Sequence, residues 1–214
     1  MKSKTFLLEH PVVAILRGLT PERALAVGDA LYQAGVRVME VPLNSPDALL
    51  SIRLLAAHFR ERALIGAGTV LDVRQVVAVA EAGGGLIVSP NADEAVIDIS
   101  RRSDQLSVPG VCSPTEAFQA LRAGADALKL FPAEVWGAHG LRALRAVLPP
   151  DIAIFAVGGV TLANLRDWRL AGANGVGIGS SLFKPGMSDA QISRAARDFV
   201  EGWSEAARVP AVAG

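Results

Sequence analysis

The sequence predicts a (β/α)8 TIM barrel occupying one domain, residues 1–214. Three observations predict it. Short apolar segments rich in β-branched residues recur roughly every 20–25 residues, helical patterns fill the gaps, and four of those patterns end in an Ala-Gly pair. Eight strands alternating with eight helices in about 210 residues match a compact barrel. The competing open doubly wound sheet lacks its dinucleotide fingerprint, because the first strand runs into Leu16-Arg17-Gly18-Leu19-Thr20 without G-x-G-x-x-G.

The elements follow in order. The first strand is expected at residues 12–16. Thr20-Pro21-Glu22 then starts a helix, with a cap-type residue before proline at the first helical position. Ala34-Gly35 ends it, the second strand covers 36–41, and Ser45-Pro46-Asp47 marks the next helix start. The third strand lies at 63–67, and Ala82-Gly83 closes its helix ahead of the fourth at 86–89. The fifth strand is expected at 106–109, followed by the start signal Ser113-Pro114-Thr115-Glu116 and the stop Ala123-Gly124. Strands at 127–131, 152–157 and 176–179 complete the set, with Ala171-Gly172 before the last. At each stop, glycine supplies the left-handed residue that ends a helix.

Composition narrows the function classes. With 51% hydrophobic and 20% charged residues the chain can bury a large core, and no linker divides it. Lys plus Arg equals Asp plus Glu at 21 each, which favours neither nucleic acid nor an anionic membrane. The single Cys112 excludes an internal disulfide and fits a reducing compartment. The apolar run near the start is too short for a signal peptide and no stretch reads as a membrane span, so a cytoplasmic protein is expected. His10, His58 and His139 are scattered and no metal-ligand spacing appears, so no metal is expected. Trp136, Trp168 and Trp203 fall in helical segments and read as packing or subunit contacts.

Barrel active sites are built where strands end. That rule selects Arg17, Glu40, the run Gly66-Ala67-Gly68-Thr69, Pro90-Asn91, and Lys129 with Phe131-Pro132. Lys129 lies inside an apolar strand, where desolvation disfavours the ammonium and lowers its pKa. An unperturbed lysine is neutral in only about one molecule in 2,500 at pH 7. The neutral amine is the form that attacks a ketone to make a Schiff base. A lysine snorkelling from the strand end to water is the alternative. Glu40, on another even-numbered strand, can face the same cavity and act as a proton shuttle, or else form an interior ion pair that fixes register. Glycine turns after the seventh and eighth strands, Val157-Gly158-Gly159 and Gly177-Ile178-Gly179-Ser180, sit where such barrels bind phosphate.

Glu40-Val41-Pro42-Leu43, Gly66-Ala67-Gly68-Thr69-Val70-Leu71, Lys129-Leu130-Phe131-Pro132-Ala133 and Gly158-Gly159-Val160 together resemble the class I 2-keto-3-deoxy-6-phosphosugar aldolases, from about Pro11 to about Phe199. Within that family, Ala14-Ile15-Leu16-Arg17-Gly18, Pro42-Leu43-Asn44-Ser45-Pro46 and Phe155-Ala156-Val157-Gly158-Gly159-Val160 look like the phosphogalactonate branch. The phosphogluconate branch places an arginine after the glutamate and a threonine before the glycine pair, and this chain departs from both, leaving Arg17 to take over the anion-binding work. The resemblance implies cleavage of 2-dehydro-3-deoxy-6-phosphogalactonate to pyruvate and glyceraldehyde 3-phosphate, with the phosphogluconate epimer as the alternative substrate. It implies Lys129 as Schiff-base former and Glu40 as general acid/base. It places Gly66, Thr69 and Pro90 around the keto acid's carboxylate, Phe131 and Val157 along the cavity, and Gly158, Gly159, Gly179 and Ser180 around the phosphate. No metal or organic cofactor is required, the ligand is a small phosphorylated keto acid, and a homotrimer is expected. A phosphosugar isomerase or decarboxylase, or a non-catalytic phosphosugar sensor, would use the same glycine turns without forming an imine.

Overall fold

In the computed structural model, residues 4–208 are described. Every strand pair is parallel, as a chain of β-α units requires. The strands are β1 (Val12–Ile15), β2 (Val38–Pro42), β3 (Leu64–Gly68), β4 (Leu86–Val88), β5 (Leu106–Val108), β6 (Gly110–Val111), β7 (Leu128–Leu130), β8 (Ile154–Val157) and β9 (Gly175–Ile178). Their order across the sheet is β5-β4-β3-β2-β1-β9-β8-β7-β6. The two ends of that order, β5 and β6, are consecutive in the chain and separated only by Pro109. The sheet therefore closes on itself as a TIM-type barrel, with the fifth expected strand broken in two because proline has no N–H to give the ladder. The expected sixth, seventh and eighth strands are therefore β7, β8 and β9.

The helices are α1 (Lys4–Glu9), α2 (Pro21–Gln33), α3 (Ala48–Phe59), α4 (Val73–Glu81), α5 (Glu94–Arg102), α6 (Pro114–Ala123), α7 (Ala133–Arg145), α8 (Leu165–Leu170) and α9 (Asp189–Arg208). Helices α2 to α9 are the eight that follow the strands. Gly35, Gly83, Gly124 and Gly172 all have positive φ, between 84° and 100°, so the four Ala-Gly stops act as expected. Ser113 and Glu116 form a reciprocal capping box at α6. At Ser45-Pro46 the expected helix start is displaced. Helix α3 begins at Ala48 with Asp47 at its N-cap, because the Ser45 hydroxyl instead accepts from the Gly18 backbone N–H at 2.9 Å.

The core divides into two. Outward-facing strand residues such as Ala14, Met39, Ile65 and Ile87 pack against the helices. Inward-facing residues, among them Val13, Val38, Leu64, Leu86, Leu106 and Phe155, fill the barrel. Helix α1, which composition did not suggest, closes the N-terminal end of that interior with the fully buried Leu7. A small cavity of about 20 Å³ remains between this plug and the layer holding Glu40 and Lys129. Trp168 and Trp203 are buried, while Trp136 is 45% exposed.

Candidate active site

Parallel register sets the layer. Glu40 is level with Ile15 on β1 and Gly66 on β3, and Lys129 is level with Gly110 on β6 and Phe155 on β8. Both side chains point inward from β2 and β7 into one cavity of about 250 Å³ at the C-terminal end of the barrel. Of the expected residues, Arg17, Glu40, Thr69, Pro90, Lys129, Phe131, Val157, Gly158, Gly159, Gly179 and Ser180 line it. Gly66 does not. Level with Glu40 on β3, it lies where a Cβ would collide with the Leu86 carbonyl oxygen, so its glycine serves strand packing. Gly68 is the glycine that makes room for chemistry, since a Cβ there would run into the Glu40 carboxylate. Its alternation with Gly66 on β3 was visible in sequence, but not what each faces.

Glu40 is 2% exposed and Lys129 is 7% exposed. Burial pushes the Glu40 carboxyl up to about 7, although the Lys129 and Arg17 charges pull it back. Burial also lowers the Lys129 pKa, Glu40 opposes that fall, and Arg17 adds to it. Among the described residues no ion pair joins Glu40 to Lys129, and Glu40 Oε2 has no hydrogen-bond partner. A register-fixing ion pair would leave neither group unmatched. The arrangement instead holds an amine whose protonated form burial disfavours and a carboxyl poised to gain or lose a proton near neutrality. Lys129 Nζ lies 4.4 Å from the Phe131 ring centroid, so one side of the amine faces an aromatic ring.

The loops around this pair are fastened by side chains that lie between the sequence signals. Arg17 Nη1 donates to Asn44 Oδ1 at 2.8 Å. Asn164 Nδ2 donates to the Gly159 carbonyl at 2.9 Å and Asn164 Oδ1 accepts from the Thr161 N–H at 2.9 Å, bracing the turn after β8. Gly158 and Gly159 both have positive φ there. Thr69 has φ 57°, a strained value for a β-branched residue, at the edge of the same cavity. No group of three or more His, Cys, Asp or Glu among the described residues is arranged to hold a metal. No helix among them is long and apolar enough to cross a membrane.

The profile of the KDPG and KHG aldolase family matches residues 4–195. The 2-dehydro-3-deoxy-6-phosphogalactonate aldolase of Escherichia coli strain K12 is 47% identical over 196 residues, covering 92% of this chain and 96% of that protein. A solved structure described as native KDPGal superposes with a TM-score of 0.92 at 47% identity, covering 93% of this chain and 97% of that one. A KDPG aldolase from Legionella pneumophila, solved with pyruvate captured at low pH as a covalent carbinolamine intermediate, superposes with a TM-score of 0.84 at 28% identity, covering 92% of this chain and 98% of that one.

Proposed function

The chain belongs to the KDPG and KHG aldolase family, and from that premise we propose that it cleaves 2-dehydro-3-deoxy-6-phosphogalactonate to pyruvate and glyceraldehyde 3-phosphate through an imine on Lys129. The observation that carries this reading is the desolvated Lys129 facing the desolvated Glu40 across one cavity, with glycine turns at the cavity's rim.

The chemistry follows from that placement. The Lys129 amine adds to the C2 carbonyl, and Glu40 moves protons until the carbinolamine loses water and an iminium forms. The iminium withdraws electrons along the C3–C4 bond. Glu40 takes the C4 hydroxyl proton, the bond breaks, and glyceraldehyde 3-phosphate leaves. The enamine left on Lys129 is protonated at C3 and the resulting iminium is hydrolysed to pyruvate, freeing the amine. In this reading Thr69, Pro90 and Arg17, which line the cavity, receive the carboxylate, and backbone N–H groups around Gly158, Gly159, Gly179 and Ser180 receive the phosphate. The proposal includes a homotrimer in the cytoplasm, for which Val135 and Trp136 on α7, 75% and 45% exposed, supply apolar surface.

Gly179 offers a direct test of the phosphate end. Its φ is not in the left-handed region and an added Cβ would meet nothing within 4 Å, so the fold itself does not demand glycine there. Gly179→Ala should melt with the wild type yet raise KM by about tenfold, because the methyl group occupies space the phosphate needs. Thermal unfolding and steady-state kinetics check this, and an unchanged KM would remove Gly179 from the phosphate site.

Val157 bears on the substrate's C4 configuration. It is a buried apolar wall of the cavity, level with Gly177 on β9. A site built to hydrogen-bond a hydroxyl discriminates strongly, whereas an apolar wall discriminates on the order of 10²-fold or less. The phosphogalactonate substrate is expected to be cleaved well and the phosphogluconate epimer more slowly, with Val157→Thr shifting the ratio of kcat/KM toward the latter. Pyruvate release from both epimers measures that ratio. A wild-type preference for the phosphogluconate epimer, or an unmoved ratio in Val157→Thr, would overturn the choice of epimer and leave the aldolase reading standing.

A further inference from the structure

We propose that Asn44 is a positioning residue that holds the Arg17 guanidinium toward the carboxylate of the bound 2-keto acid, an inference that rests on the keto-acid reading above. Arg17 follows β1 and Asn44 follows β2. Their side chains meet above the cavity, Nη1 donating to Oδ1 at 2.8 Å. A second bond ties the same two loops one residue further on, from Gly18 N–H to Ser45 Oγ at 2.9 Å. The loop carrying Asn44 is itself anchored, because Leu43 N–H donates to the Gly68 carbonyl and Ser45 N–H to the Pro42 carbonyl, each at 2.8 Å. The guanidinium is thereby tied to the strand ends that flank Glu40.

The chemistry of the tether matters as much as its place. Among the described residues no acidic side chain forms an ion pair with Arg17. A neutral amide that accepts one of five donors fixes the fork and leaves its charge and remaining N–H groups for an anion. A carboxylate at position 44 would fix the fork and cancel the charge. The bond is exposed to water, so it adds little to fold stability. Its effect is to hold a long, flexible side chain in place before the ligand arrives, which lowers the ordering cost of binding. The Arg17 charge also acts on both Glu40 and Lys129, consistent with a guanidinium aimed into the cavity.

The test is a double-variant cycle on Asn44→Ala and Arg17→Ala, read two ways: the pyruvate concentration that half-saturates borohydride trapping at Lys129, and KM against kcat for the phosphorylated keto acid. Asn44→Ala should raise both the half-saturating concentration and KM by about three- to tenfold, with kcat little changed. Arg17→Ala should raise them further, and adding Asn44→Ala to it should change nothing more, since Asn44 acts only through Arg17. Asn44→Asp should also weaken binding, because it keeps the acceptor and neutralises the charge. Unshifted constants in Asn44→Ala, or effects that add in the double variant, would overturn the proposal while the wild-type adduct upholds the keto-acid reading. Absence of an adduct in the wild type would overturn both.

Discussion

Lys129→Met is expected to abolish cleavage, by several orders of magnitude in kcat, while the barrel stays folded. The electron sink of the reaction is the iminium, and among the described residues no other amine lines the cavity. Methionine keeps an apolar stem of similar length against Phe131 and removes a charge whose burial disfavours it. A lysine whose pKa is lowered by folding binds fewer protons in the folded state than in the unfolded chain, so near neutrality it costs stability, and that cost is relieved as pH rises toward the ordinary lysine range. The methionine variant should therefore be at least as resistant to urea at pH 7 as the wild type. With the Lys129 charge gone, Glu40 loses its principal Coulombic support and should titrate above its present value of about 7. Substantial residual activity in this variant would remove Lys129 from the mechanism.

Glu40→Gln carries the next largest effect. Proton transfer at the carbinolamine and at the C4 hydroxyl should slow by about 10²–10⁴. The limb of the pH–rate profile near pH 7 should disappear with it. Glu40 is pushed upward by burial, so the folded state holds its proton more tightly than the unfolded chain does. The stability this contributes is complete below the ordinary carboxylate range and is lost as pH rises through about 7. Glutamine cannot ionise. Relative to the wild type, the variant should thus gain urea resistance between pH 5 and pH 8 while losing turnover across that range. A near-normal kcat would make Glu40 a packing group.

Signals that act locally were legible in the sequence. The four Ala-Gly stops and the Ser113 capping box depend on conformations set within a few residues, and all five appear where the residues place them. Lys129 was legible because a charge inside an apolar strand conflicts with its surroundings, and Glu40 for the same reason. What could not be read depends on partners far apart in the chain. Ser45 has the local signature of a helix cap, but its hydroxyl is taken by Gly18, 27 residues away. Asn44 looks like an ordinary loop residue until Arg17 is beside it, and Asn164 until the Gly159 carbonyl is. Gly66 and Gly68 share a motif and a strand, yet only the three-dimensional register shows that one yields to Leu86 and the other to the Glu40 carboxylate. The break at Pro109 and the plug formed by Leu7 likewise follow from closure of the barrel, which no single segment expresses.

Imine formation on Lys129 is tested by borohydride reduction in the presence of pyruvate followed by peptide mapping. The chain has four lysines, Lys2, Lys4, Lys129 and Lys184, so the modified position can be assigned without ambiguity. One pyruvate-derived adduct per chain is expected, on the peptide containing Lys129, and its loss is expected in Lys129→Met. An adduct on Lys184, or none at all, would contradict imine formation on Lys129.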